Sequence, residues 1–245
     1  MTYCLAIRLD SGLIFASDSR TNAGVDQVSS YSKMYSFQPT PDRLFVVLTA
    51  GNLGTTQGVI NAIQRDLDTP AGNDLRNVNY LFEAAEYLGS VSHAVQSRYQ
   101  EEGQEADSGA FGASFIIGGQ IQGQPHDVYL VYPEGNYVAA SPTKPYLQIG
   151  ETKYGKPILD RVITTQTSLE NAGRCALVSI DSTMRSNISV GPPIELAFYE
   201  ADSLKLARRE TFDADTPYFD SLKKAWGEGL QQVFDTLPRF DWEQD

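Results

Sequence analysis

Residues 1–18 read MTYCLAIRLDSGLIFASD, and this stretch decides the fold. It contains two apolar runs, Tyr3 to Arg8 and Leu13 to Ser17, built from residues that favour strands. Asp10-Ser11-Gly12 separates them, and a turn segment between two such runs predicts a β-hairpin. We therefore expect a strand to begin immediately after the second residue, with Asp18 at the end of its partner strand.

The residue before this hairpin, Thr2, acquires a chemistry of its own if Met1 is removed, as is usual when the second residue is small. A threonine hydroxyl is a weak nucleophile, but the new α-amine would lie beside it. The ordinary pKa of an α-amine is about 7.7–8.0, so part of it is free base near neutral pH. One residue would then supply both a nucleophile and its base.

Two charged residues extend this pattern. Lys33 opens a predicted strand, Lys33 to Phe37, which we expect to lie beside the first strand and to bring the ammonium group near Thr2. Asp18 could accept hydrogen bonds from that ammonium and position it. Alone, Asp18 is typical of a turn cap and Lys33 of a solvated charge, so only the combination indicates a site.

The rest of the chain groups its strands and helices in separate runs. The strand Leu44 to Thr49 gives way at Ala50-Gly51-Asn52 to a helix that starts near Thr55. Further on we expect, in order, a loop (Pro70, Gly72, Asn73, Asp74), a helix (Val78 to Gln104), strands (Phe111 to Ile117, Val128 to Tyr132, Tyr137 to Ala140, Tyr146 to Ile149), helices (Lys156 to Ile163, Ser168 to Arg185), strands (Ile194 to Glu200, Leu204 to Glu210) and a helix (Tyr218 to Phe234). Segregated runs favour an α+β layered fold, with two sheets face to face and helices outside. No linker is evident, so residues 1–245 are expected to form one domain.

The composition argues against several classes of function. The 31 acidic and 19 basic residues give a formal charge of −12, which argues against nucleic acid or an anionic membrane as partner. No apolar run approaches the roughly 20 residues of a membrane span, and the N-terminus does not read as a secretory signal. Two histidines, His93 and His126, are too few for a His-rich metal site, and Cys4 and Cys175 lie in apolar runs typical of buried thiols. We expect a cytoplasmic protein without metal or cofactor.

The N-terminal features together resemble proteasome β-subunits and bacterial HslV. The resemblance rests on Thr2, on residues 15–21 (FASDSRT), on Lys33, and on residues 49–51 (TAG) before a helix. Within that family the chain is similar to the bacterial Anbu, or ancestral β-subunit, group at residues 149–155 (IGETKYG) and 187–192 (NISVGP). The resemblance implies a four-layer α/β/β/α sandwich of the N-terminal-nucleophile hydrolase type.

The same resemblance implies roles for particular residues and a way of working. It makes Thr2 the nucleophile, Asp18 the residue that orients the lysine, and Lys33 the cation that assists. The other implied site residues are Gly51 as oxyanion donor, Thr21 and Thr49 at the substrate, and Arg20, Glu151 and Ser189 in support. Whether Lys33 or the α-amine is the base stays open, although a lysine paired with Asp18 should remain charged. The family further implies a ring or open helical self-assembly with contacts near residues 218–245, peptide or unfolded-protein substrates, and commonly an ATPase partner.

Two departures from the family leave a catalytically silent assembly subunit as an alternative. Proteasomal β-subunits place a serine near the amine, where this chain has Glu151, and Asp181 is followed three residues on by Met184 instead of serine. Thr21 and Lys33 also lie one residue nearer the N-terminus, which a single deletion after Arg20 explains.

Other enzyme classes fit less well. Residues 150–156 (GETKYGK) match the Gly-x4-Gly-Lys pattern of a nucleotide-binding P-loop, but the next position, which should carry a hydroxyl for Mg²⁺, is Pro157. Proline instead suits the first turn of a helix. Amidotransferases and acylases with terminal nucleophiles usually use Cys or Ser, and most acylases expose theirs by internal cleavage.

Overall fold

A computed structural model describes residues 1–22, 28–69, 72, 74–102 and 110–243. The predicted loop positions Pro70 and Asn73, and the predicted helix end at Gln104, lie outside the described residues. The strands are β1 (Tyr3–Leu9), β2 (Gly12–Asp18), β3 (Arg20–Asn22), β4 (Val28–Ser30), β5 (Met34–Phe37), β6 (Arg43–Gly51), β7 (Ala113–Ile121), β8 (Asp127–Val131), β9 (Tyr137–Ala139), β10 (Tyr146–Gly150), β11 (Ile194–Glu200) and β12 (Leu206–Phe212). The helices are α1 (Leu53–Asp68), α2 (Leu81–Glu102), α3 (Lys156–Val162), α4 (Leu169–Ser186) and α5 (Pro217–Asp235), followed by a 3-10 turn (Asp241–Glu243).

The strands form two five-stranded antiparallel sheets and a small ribbon. One sheet has the order β10-β1-β2-β11-β12, the other β5-β6-β7-β8-β9, and β3 pairs with β4 alone. The predicted hairpin is confirmed, with Leu9 opposite Gly12 at its turn. The ribbon strands were not predicted, because three-residue polar strands carry no apolar periodicity.

Three apolar clusters hold the layers together. Alternate residues of β1 point in opposite directions: Leu5 and Ile7 pack towards α3 and α4, whereas Cys4 and Ala6 pack between the two sheets. The second sheet packs its other face on α1 and α2. Burying each large apolar side chain stabilises the fold by roughly 1.5–3 kcal/mol. The predicted four-layer α/β/β/α arrangement is therefore confirmed.

The predicted neighbour of the first strand was wrong. β1 lies between β10 and β2, and both of its edges are occupied, whereas β5 pairs with β6 in the opposite sheet. Lys33 precedes β5 by one residue and therefore approaches Thr2 from across the sandwich, not from the adjacent strand. Apolar alternation identifies a strand but does not reveal which sheet it joins, because both sheets bury one face in the same central core.

The segment that resembles a P-loop lies in a different context from a nucleotide site. Its strand β10 runs antiparallel to β1, whereas a P-loop follows a strand of a βαβ unit. Lys156 pairs with Asp160 one turn along α3, and Pro157 occupies the first turn of that helix, as predicted. Within the described ranges, no helix is both long and apolar enough to cross a membrane.

Candidate active site

A buried carboxylate organises the end of the first hairpin. Asp18 is the last residue of β2, and its Oδ1 accepts from Lys33 Nζ at 2.7 Å and from the backbone N–H of Tyr3 at 3.0 Å. Its Oδ2 accepts from the N–H of Gly191 at 3.2 Å. Because Lys33 and Tyr3 share one oxygen, the lysine ammonium is held close to the backbone that joins Thr2 to Tyr3.

The electrostatics of this pair balance burial against charge. The side chain of Asp18 is 0% exposed and that of Lys33 is 7% exposed. Burial raises the pKa of Asp18, and the Lys33 ammonium and the two backbone N–H groups oppose that rise. Lys33 Nζ also donates to the carbonyl of Arg20 at 2.7 Å. The Lys33 side chain is thus held by two acceptors from strands that are consecutive along the chain, Asp18 of β2 and Arg20 of β3.

A cavity of about 490 Å³ opens at this ammonium. Thr2, Lys33 and Gly51 line it, together with Thr21 and Thr49. The structure therefore brings five of the predicted site residues to one cavity, with Asp18 directly behind Lys33. The buried hydroxyl of Thr21 has no hydrogen-bond partner among the described residues.

Gly51 forms the turn between strand β6 and helix α1. Its φ of +115° lies in the region that favours glycine, and a Cβ there would overlap the carbonyl oxygen of Gly112. Asn52 then caps the helix, since its Oδ1 accepts from the N–H of Thr55 at 3.0 Å. The cavity consequently faces the positive end of a 16-residue helix, where developing negative charge is favoured.

Strand β10 ends beside Thr2 in a second close contact between backbones. Gly150, with φ +82°, passes so close that a Cβ would overlap the carbonyl oxygen of Thr2. The next residue, Glu151, donates its backbone N–H to that same oxygen at 2.7 Å. Its side chain accepts from Asn187 Nδ2 at 3.2 Å. This contact fixes the backbone of Thr2 from the side opposite Asp18.

Arg20 and Ser189, predicted in support, lie behind the cavity. Arg20 Nη1 donates to the carbonyl of Ile188 at 2.7 Å, and the N–H of Ser189 donates to Asn187 Oδ1 at 3.0 Å. Both contacts shape the loop at residues 187–191, whose last residue, Gly191, binds Asp18. Asp181 instead pairs with Arg185 at the end of α4, at 3.0 Å.

Sequence reasoning missed a second charge cluster beside Lys33, in which Glu195 is buried and Arg209 is exposed. Glu195 accepts from Arg209 Nη2 at 2.5 Å and from Ser32 Oγ at 2.6 Å, and Arg209 also donates to the carbonyl of Met34 at 3.0 Å. The residues on either side of Lys33 are thus tied to β11 and β12. A glutamate inside the apolar run IELAFYE at residues 194–200 was the one available signal, and it does not identify its partners.

The remaining reactive side chains lie apart from the cavity or beneath it. Both cysteines are buried, as predicted, and burial raises the pKa of the Cys175 thiol to about 12 and that of Cys4 further. Such thiols stay protonated and unreactive. His126 has a partner that was not predicted, because its Nε2 lies 2.7 Å from the carbonyl oxygen of Leu9. In the part of the chain that the structure covers, no group of three or more His, Cys, Asp or Glu residues could hold a metal ion.

Comparison with known proteins gives a consistent result. The sequence model of the family described as "Proteasome subunit" matches residues 2–198. Anbu from Yersinia bercovieri is 45% identical with a TM-score of 0.91, over 98% of this chain and 99% of that one. Anbu from Pseudomonas aeruginosa, described as a helical assembly, is 43% identical with a TM-score of 0.91, over 99% and 100%. A Gly-1 mutant of Anbu from Hyphomicrobium sp. strain MC1 is 40% identical with a TM-score of 0.91, over 98% and 100%. No curated protein matches the chain.

Proposed function

Since this chain belongs to the proteasome subunit family, we propose that it hydrolyses peptide or related amide bonds through an acyl-enzyme on Thr2, after Met1 is removed. The observation that carries the proposal is the buried Lys33–Asp18 pair, whose ammonium lines the same cavity as Thr2 and Gly51. Lys33 Nζ already donates to Asp18 and to the carbonyl of Arg20, so in this proposal the base is the α-amine of Thr2, which lies beside the hydroxyl.

In the first half-reaction, the oxygen of the Thr2 hydroxyl attacks the substrate carbonyl carbon while the α-amine takes the hydroxyl proton. A C–O bond forms, and the π electrons of the carbonyl move onto its oxygen. The N–H of Gly51 donates to that oxyanion, and losing one such donor typically costs about 10²–10³ in rate. The positive charge of Lys33 lowers the cost of removing the hydroxyl proton.

The intermediate then collapses and is hydrolysed. The C–N bond breaks, the leaving amine takes the proton from the α-ammonium group, and an ester on Thr2 remains. Water attacks this ester while the α-amine takes its proton. The second collapse breaks the ester C–O bond, releases a carboxylic acid and returns the proton to the Thr2 oxygen.

The proposal also covers the domain organisation, self-assembly, substrates and partner of the protein. Residues 1–245 act as one domain, because the central cluster of buried residues joins both sheets. Copies of the chain assemble with one another, in line with the helical assembly that names the Pseudomonas aeruginosa relative. Substrates are peptides or unfolded chains in the cytoplasm, and an ATPase that supplies them is a further partner to be sought.

A catalytically silent assembly subunit is the second candidate. It is favoured by Glu151, a carboxylate that stands opposite Thr2 at the position where the family pattern has a serine. Such a subunit would form the same assembly and would not react at Thr2.

The deciding experiment is covalent labelling with a threonine-directed electrophile, such as a peptide epoxyketone. Intact mass first checks that Met1 is absent, and peptide mass spectrometry then locates the label. We expect labelling of the wild type at Thr2, none of Thr2→Ala, and unchanged labelling of the control Thr143→Ala, which alters an exposed threonine. Equal labelling of wild type and Thr2→Ala, or a chain that retains Met1, would refute the proposal. A large assembly that does not label would establish the silent subunit.

A further inference from the structure

Glu151 is a buried acid without a basic partner. The residue is 8% exposed, and its Oε2 accepts one hydrogen bond, from Asn187 Nδ2. Across the described ranges, no lysine or arginine forms an ion pair with it. The other oxygen, Oε1, is not fully buried, so a cation could reach the carboxylate, and burying most of a carboxylate without an opposite charge is unfavourable. Such a group is expected to have a counter-ion in the working protein.

The register of the sheet places this acid opposite Thr2. Tyr3 pairs with Gly150, so Thr2 and Glu151 are the next facing residues, and the N–H of Glu151 donates to the carbonyl of Thr2 at 2.7 Å. The N–H of Tyr3 points to Asp18 on the β2 side of the strand, and successive N–H groups of an extended chain alternate between its two sides. The nitrogen of Thr2 is therefore directed towards the side of β10, the strand that Glu151 follows.

We propose that Glu151 is the counter-ion of the α-ammonium group that removal of Met1 creates at Thr2. While Met1 is attached, the nitrogen of Thr2 is a neutral amide and the carboxylate has nothing to pair with. Removal of Met1 makes this nitrogen basic beside the buried acid. The inference rests on the proposed function in one respect, namely that the mature chain begins with Thr2.

The acids around this position other than Glu151 are paired with bases. Lys33 is held by Asp18, and Arg209 by Glu195, while Arg20 donates to the carbonyl of Ile188 instead of an acid. Charged residues of the elements around Thr2 and Glu151 include Asp18 on β2, Arg20 on β3, Lys33 before β5, Lys153 after β10, Asp181 and Arg185 on α4, Glu195 on β11 and Arg209 on β12. Among the acids in that set, each except Glu151 has a basic partner. The new ammonium is the cation that Glu151 lacks.

This pairing would set the pH at which the site becomes active. A nearby carboxylate favours the charged form of an amine and so raises its pKa, whereas the ammonium of Lys33 acts in the opposite direction. The amine serves as a base only when it is uncharged. Glu151 therefore makes the enzyme slower at neutral pH and shifts its activity towards alkaline pH, while it keeps the N-terminus ordered.

The test titrates the amine directly and needs no turnover. The rate at which the N-terminal amine reacts with acetic anhydride is measured against pH by peptide mass spectrometry. The proteins are wild type, Glu151→Gln, Glu151→Ser, and the control Glu170→Gln, which removes an exposed negative charge from α4. We expect the midpoint of both Glu151 variants to fall by about one pH unit, since an opposite charge at close range shifts a pKa by about 1–3 units. Glu170→Gln should stay within a few tenths of wild type.

Two results would overturn the pairing: midpoints that do not differ between wild type and the Glu151 variants, or a fall of the same size in Glu170→Gln. Repeating the titration in a Thr2→Ala background separates this inference from the proposed function, because alanine leaves the α-amine and removes the nucleophile. A shift there, with no labelling of the wild type, supports the pairing and rejects the catalysis. The acid limb of the labelling rate should move with the amine midpoint, and a limb that stays in place while the amine midpoint moves would reject the amine as the base.

Discussion

At the scale of single residues, the site depends on a carboxylate that accepts three hydrogen bonds. Asp18 accepts from Lys33, from the backbone of Tyr3 and from the loop before β11. It therefore connects strand β1, the Lys33 ammonium and a distant loop through one buried group. Removing one partner of a buried ion pair is costly, since the other charge is left without compensation.

Replacing Asp18 by asparagine should affect both stability and reactivity. The amide side chain would keep the shape and remove the charge, so Lys33 would be buried without an acid. We expect the free energy of unfolding to fall by about 3–5 kcal/mol. The labelling rate at Thr2 should fall on the order of 10²-fold, because the cation loses its fixed position.

Thermal unfolding and labelling kinetics measure the two effects. The matched control is Asp220→Asn, which breaks an exposed pair with Lys223 and should cost no more than about 1 kcal/mol. If Asp18→Asn labels at the wild-type rate, Asp18 does not contribute to the reactivity of Thr2.

Whether a site residue could be predicted from the sequence depends on how far along the chain its partners lie. Thr2 and Asp18 were predicted because one hairpin brings them together, whereas Lys33 was predicted from the family resemblance, since the strand pairing expected for it was wrong. Glu195 and Arg209 were missed, because their contacts with Ser32 and Met34 join positions more than 160 residues apart. Contacts at that separation leave no local periodicity in a single sequence.

At the scale of elements, the turn from β6 into α1 carries the proposed oxyanion donor. The positive φ of Gly51 lets the strand end and the helix begin without an intervening loop, with Asn52 as the cap. The existence of these elements was predictable from an apolar run followed by helical spacing. The positive φ was not, since the sequence shows only that a glycine stands at the change of pattern.

A side chain at this turn should disable the site. In Gly51→Ala, the new Cβ would overlap the carbonyl oxygen of Gly112, so the backbone must move. We expect the strained conformation to cost about 1–3 kcal/mol of stability. The labelling rate should fall by about 10²–10³-fold if the N–H of residue 51 is the donor to the oxyanion.

The control substitution is Gly227→Ala inside α5, where a Cβ meets nothing within 4 Å. It should stabilise the protein by about 0.5–1 kcal/mol and leave labelling unchanged. If Gly51→Ala labelled as fast as Gly227→Ala, the turn would not provide the donor.

The placement of whole strands was harder to predict than their existence. The run at Lys33 to Phe37 was predicted as a strand and is one from Met34, yet it joins the sheet opposite the one expected. β10 fills the edge of β1 instead, although it lies more than 130 residues along the chain. Pairing between distant strands depends on the packing of the complete core, which local patterns do not encode.

At the scale of the molecule, two sheets share a central core, and each packs its outer face on helices. The segregated runs of strands and helices were enough to predict this layering. Helix α5 departs from it. Phe219 in its first turn is buried and contacts Phe212, but the second half of the helix extends away from the domain with its apolar side chains in solvent.

Exposed apolar side chains continue from the second half of α5 into the segment that follows it. Val233 is 61% exposed and Phe234 is 67% exposed, and Leu230, Leu237, Phe240 and Trp242 are exposed as well. Spacings of three and four residues place Leu230, Val233 and Phe234 along one side of the helix, and Leu237 follows two residues after its end at Asp235. A contiguous apolar surface on a chain with a net charge of −12 is expected to be covered by another protein surface. We propose a second copy of this chain, consistent with the helical assembly of the Pseudomonas aeruginosa relative.

Polar substitutions on this face should dissociate the assembly without unfolding the single chain. In Val233→Gln/Phe234→Gln, the helix keeps residues of good helical propensity, and the lost side chains make little contact within their own chain. Light scattering after size exclusion should show a mass that falls towards that of a single chain. At a dilution where both proteins are monomeric, the free energy of unfolding should change by no more than about 0.5 kcal/mol.

The control Lys224→Gln/Glu228→Gln alters the polar face of the same helix and should leave the assembly intact. An unchanged mass in the first variant would mean that the contacts between copies lie elsewhere, and loss of assembly in the control would mean that charge, not apolar area, joins the copies.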